Sequence, residues 1–191
     1  IQNGVGRYMI PGSSVKGCLR TATLFHLLAE MQRTDRDEFE EFLPGTARDK
    51  ADRFWQLPSK DREKARREFA AGTIGALLGP EPHEDLFRAV RIPDIEVPNG
   101  AVRKKSVFIR CLGSSGLRES SDRYARNAMY RDCISEGTEL KFRLDVDLDL
   151  FHRLAADLGI SLRLTAAADL VEFGARFAAR QWEHEVGELA G

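Results

Sequence analysis

Two serines, a lysine and an arginine crowd the stretch GSSVKGCLR, residues 12–20, and three chemistries could use them. A phosphate-cradling nucleotide loop needs G-x-x-x-x-G-K-[ST]. Here the lysine precedes the glycine, as Lys16-Gly17, and no hydroxyl follows to hold a magnesium ion, so that chemistry fails. Ser13-Ser14-Val15-Lys16 is formally S-x-x-K, the start of a serine acyl-enzyme site. Its partners are missing: Ser121-Asp122-Arg123 matches S-D-N only in part, and there is no K-[ST]-G. The third chemistry is anion binding at a helix N-terminus. Backbone amides of Gly12, Ser13 and Ser14 would point outward there, the helix dipole is positive, and Lys16 and Arg20 fall one turn apart on one face. A plain turn and serine cap accounts for Pro-Gly-Ser-Ser equally well.

Other reactive residue types form no constellation. Cys18, Cys111 and Cys133 make no C-x-x-C and suit reduced, buried thiols of a cytoplasmic protein. His26, His83, His152 and His184 are too scattered for a metal site, and nothing calls for a cofactor. Asp85 and Asp94 are catalytic candidates only by exhaustion; capping or loop roles suit them better. His26 falls inside a helical pattern, where a core imidazole is the simpler reading. No apolar run is long enough to span a membrane, and no leader peptide opens the sequence at Ile1.

The charge is balanced overall, −1 over 191 residues, but it is segregated. Residues 1–33 hold Arg7, Lys16, Arg20 and Arg33 against the single acid Glu30, and residues 101–118 hold basic residues and no acid. Such segregation can make a basic surface on a neutral protein, although solvated charge on both faces would look the same.

The elements that must position these residues read as follows. Residues 13–33 form a helix, capped by Ser13 or Ser14, with Leu24, Leu27, Leu28 and Met31 at helical spacing. Residues 34–82 are charge-dense and helical, an insertion that stops at Gly79-Pro80. Residues 85–97 are a strand broken at Pro93, 106–112 a second strand, and 113–121 a Gly/Ser loop. The plainest strand is 140–148, where Leu140, Phe142, Leu144, Val146 and Leu148 alternate with polar residues. Residues 151–158 and 164–189 are helical. This order predicts an α+β domain, helices on one side of a mainly antiparallel sheet, in a single domain over 1–191.

The stretch YMIPGSSVKGCLRTA resembles the signature of the RAMP superfamily, the RNA-recognition-motif-like backbone proteins of type III CRISPR effector complexes. DLFRAVRIPDIEV together with YRDCISEGTELKFRLDVD is most similar to the Csm-type subunit at the 3′ side of the CRISPR RNA. The resemblance covers residues 8–33 and 85–147, and does not reach 34–82. It lacks the superfamily's preceding strand and turn and its C-terminal glycine-rich segment, as expected of a piece of a longer chain. It implies a ferredoxin-like fold and a non-catalytic, cytoplasmic subunit. The implied partners are the CRISPR RNA, neighbouring backbone subunits and recruited nucleases. It further implies that Gly12, Ser13, Ser14, Lys16, Gly17 and Arg20 lie against the RNA backbone. Charge alone adds Arg103, Lys104, Lys105 and Arg110, and more weakly Arg131, since 130–133 could be a packed strand before the Glu136-Gly137-Thr138 turn. The competing function is a protein scaffold, docking neighbours through the insertion and the alanine-rich C-terminus.

Overall fold

The computed structural model describes residues 6–37, 39, 58, 61–62, 64, 72, 74–107, 110–113, 116–119 and 129–190. The chain forms two compact units: Ile1–Val15 with Ile92–Arg143 and Ala178–Gly191, and Lys16–Arg91 with Leu144–Phe177. Helix α1 (Gly12–Thr34) and the C-terminal helix run through the divisions.

The second unit holds most of the buried core. Leu19, Ala22 and Thr23 of α1 are buried, and the Thr23 hydroxyl donates to the Leu19 carbonyl at 2.9 Å, so its polarity is satisfied within the helix. A 3₁₀ turn (Leu86–Ala89) leads into strand β2 (Val90–Arg91), which pairs antiparallel with β8 (Asp145–Val146). Helix α2 (Leu148–Asp157) begins at Asp147, whose carboxylate accepts from the Leu150 amide at 3.0 Å. Its Phe151 and the 3₁₀ turn's Phe87 are the largest fully buried side chains, each contributing roughly 1.5–3 kcal/mol. Helix α3 (Ala167–Ala190) contributes Leu170 and Phe173 to this core. His26 of α1 stacks on Phe173 with ring centroids 3.9 Å apart.

Burial holds the His26 imidazole below its ordinary pKa of 6.5, with Arg176 acting in the same direction and Glu30 and Glu172 opposing. The unfolded chain therefore binds the proton more readily than the folded one. Stability should fall as pH drops through 6.5 and level off below the folded pKa. Urea midpoints at about pH 7.5 and about pH 5.5 should show a smaller acid loss in His26→Gln than in the parent chain.

The first unit is built from β-pairs. Strand β1 (Met9–Ile10) pairs with β3 (Ile95–Glu96), β4 (Val102–Val107) with β7 (Met129–Ile134), and β5 (Arg110–Gly113) with β6 (Gly116–Glu119), all antiparallel. The mixed α/β class expected from the sequence is present. Among the described residues, however, the strands form separate two-stranded ladders, and no continuous ferredoxin-like sheet is seen.

Several elements differ from the sequence reading. Of the 140–148 strand only Asp145–Val146 is paired; 138–144 has no ladder, and Leu148 already belongs to α2. Leu148, Phe151 and Ala155 recur at helical spacing, so Leu148 satisfies both periods, and the Asp147 cap decides for helix. The Gly/Ser stretch at 113–121 was expected as loop, but 116–119 is strand β6. The predicted 34–82 insertion lies mainly outside the described residues. Helical residues 74–78 end, as expected, at Gly79, whose φ of +102° suits a C-terminal glycine.

Candidate nucleic-acid interface

Helix α1 begins at Gly12, one residue before the expected cap. Ser13 and Ser14 are therefore exposed first-turn residues rather than caps. The capping group comes from far along the chain: Asp94 Oδ1 accepts from the Gly12 amide at 2.8 Å. Pro11 supplies the first carbonyl, accepting from the Ser14 amide at 2.9 Å. The Gly12 amide, read from the sequence as open to a phosphate, is thus occupied by a carboxylate. Gly12 itself is buried, and a Cβ there would overlap the Ile92 carbonyl oxygen and sit 2.7 Å from that of Pro93. Its smallness serves the close passage of residues 92–93.

Lys16 is half-buried and Gly17 exposed with open space around it. Arg20 is committed to Asp85, with Nη2 2.9 Å from Oδ2 and its Nε buried without a partner among the described residues. Asp85 also accepts from the Phe87 amide at 2.8 Å, capping the 3₁₀ turn. Both acids considered as catalytic candidates, Asp85 and Asp94, act as caps. Among the described residues, no hydrogen bond links Ser13 or Ser14 to Lys16 of the S-x-x-K pattern.

Four of the five charge-selected cations, Arg103, Lys104, Lys105 and Arg131, fall on the β4·β7 ribbon. Opposed residues of an antiparallel ladder share a face, and faces alternate along each strand. The register pairs Arg103 with Cys133 and Lys105 with Arg131, placing three cations on one face. The other face carries Val102 with Ile134, Lys104 with Asp132, and Ser106 with Tyr130. Arg103, Lys104, Lys105, Tyr130, Arg131 and Asp132 are all exposed. Asp132 is further engaged by Tyr8, whose hydroxyl donates to it at 2.9 Å. The five basic residues named from charge are therefore not equivalent. Arg103, Lys105 and Arg131 form one cationic face. Lys104 stands opposite an acid on the reverse face, and Arg110 lies in the next hairpin, at the register position facing Glu119. Residues 130–133 are a strand, but an exposed one. Tyr130, which the sequence reading did not single out, stands exposed on the reverse face of the ribbon, opposite Ser106.

The second unit has a cleft of about 790 Å³ lined by His26, Glu30, Leu77, Asp169, Glu172 and Phe173, among others. Its carboxylates outnumber its cations, which is the wrong sign for a phosphate chain. No His, Cys, Asp or Glu cluster among the described residues could hold a metal ion. No helix among them is long and apolar enough to cross a membrane.

No protein-family model and no curated protein matches this sequence. Among solved structures, the crystal structure of T. onnurineus Csm5 superposes over 100% of this chain with a TM-score of 0.63 at 20% identity. The chain has the fold of Csm5. It spans 55% of the length of that Csm5 chain. A cryo-EM structure of a Csm–crRNA–target RNA ternary complex of a type III-A CRISPR-Cas system matches more distantly. Its TM-score is 0.49 at 21% identity, over 81% of this chain and 41% of that one.

Proposed function

We propose that this chain is part of a non-catalytic RNA-binding backbone subunit of a type III, Csm-type CRISPR effector complex. It caps the guide at its 3′ side, supports assembly and guide maturation in antiviral defence, and rests on a ferredoxin-like framework. The observation that carries the reading is the cationic face of the β4·β7 ribbon, Arg103, Lys105 and Arg131, on a chain with the Csm5 fold. Three cations on one exposed face suit a sugar-phosphate backbone and read no bases. The ribbon explains how a chain of net charge −1 can bind RNA: the contact is a local stripe. The capping roles of Asp85 and Asp94 support reading both acids as structural rather than hydrolytic.

The test is to tag the chain, isolate it with its natural partners and sequence the RNA that accompanies it. Guide RNAs with a common repeat-derived portion and varied spacers are expected. Recovery of partner proteins without RNA would overturn the reading and favour the scaffold. One observation speaks for that second function: Trp182 and Val186, one turn apart on α3, are 68% and 42% exposed and could dock a neighbouring subunit.

A further inference from the structure

We infer that Tyr130 is a stacking platform for an unpaired base of the RNA whose phosphates lie on the opposite face of the β4·β7 ribbon. This rests on the function proposed above and adds to it the class of ligand, a single-stranded segment, and a residue that meets its bases. The register separates the ribbon into two unlike surfaces. One bears Arg103, Lys105 and Arg131; the other is neutral, because Lys104 stands opposite Asp132. Tyr130 lies on the neutral surface with 69% of its area exposed, opposite the small Ser106, which leaves its ring face uncovered across the ladder. Among the described residues its side chain makes no hydrogen bond and no ring contact.

The cationic surface places Lys105 directly opposite Arg131, two donors close enough for one phosphate to bridge. A ligand matching both surfaces must carry anionic and aromatic groups on a flexible chain that can pass round the edge of a ribbon. A duplex keeps its bases stacked inside and cannot present one to Tyr130, whereas an unpaired strand can. Stacking is tolerant of base identity, so the platform suits a guide of variable sequence.

The experiment is binding of the full chain to a fluorescein-labelled, unstructured RNA of about 12 nucleotides, followed by anisotropy across a salt series. Tyr130→Ala should weaken binding about 5- to 100-fold with the salt slope unchanged, and Tyr130→Phe should restore it. On an otherwise identical RNA carrying abasic positions, the parent chain and Tyr130→Ala should bind alike. Equal affinity of Tyr130→Ala and the parent for the base-bearing RNA would overturn the inference and leave the proposed function standing. A parent chain that binds neither RNA would overturn the proposed function and the platform with it.

Discussion

Replacing Gly12 by alanine should lower the unfolding free energy by about 3 kcal/mol, enough to unfold a marginal domain. The added Cβ would overlap the Ile92 carbonyl and approach that of Pro93 at 2.7 Å, and both obstacles are backbone that cannot rotate aside. Relief requires α1 to move away from 92–94, which breaks the Asp94 bond to the Gly12 amide and leaves the helix start uncapped. Gly17, five residues on, is the control. A methyl there meets nothing, and in the helix interior the exchange should raise stability by up to about 1 kcal/mol. Urea unfolding of the two variants should therefore shift in opposite directions. Similar destabilisation by both would mean that the passage of 92–93 beside Gly12 is wrong.

Alanine at Arg103, Lys105 and Arg131 together should lower the slope of log affinity against log salt by about 2, since each lost phosphate contact on a single strand removes roughly 0.7. The loss should be equal for two RNAs of unrelated sequence, because phosphates carry no base information. Lys104→Ala belongs in the same titration as the discriminating variant: it lies on the reverse face opposite Asp132 and should leave the slope where it was. An unchanged slope in the triple variant would remove the ribbon from the RNA contact. Arg20 is a poor member of such a set. Its guanidinium is paired to Asp85, and truncation would leave a half-buried carboxylate with one partner fewer, costing roughly 1–3 kcal/mol of stability before any RNA is added.

The helices were legible because their signals are local. The apolar spacing of 19–31, the stop at Gly79-Pro80 and the break at Pro93 each depend on a few neighbouring residues, and all appear in the structure. Strands were less legible because a ladder needs a partner that the local sequence does not name. Alternation over 140–148 is real, yet pairing reaches only Asp145–Val146, and Asp147 turns the chain into helix. In the candidate site, charge counting found the basic run at 103–105. Which cations share a face became visible only with the register that brings Arg131 beside Lys105. The role of Gly12 was hidden for the same reason: the acid that caps it lies 82 residues away, just after the Ile92 and Pro93 backbone it accommodates.

That long-range cap has a consequence for how such a chain can vary. The start of α1 and residues 92–94 are joined by geometry, so extra residues inserted as a flexible loop between α1 and the 3₁₀ turn would reach that junction only through the entropy of closing the loop. Closure entropy grows with the logarithm of length, so doubling the intervening chain would cost only about 0.6 kcal/mol. Length there can drift widely between chains of this fold at little thermodynamic penalty, whereas a single methyl at Gly12 should be intolerable. Proteins sharing this architecture should therefore differ most in size between α1 and the 3₁₀ turn, and least in the small residue and the acid that clasp at its two ends.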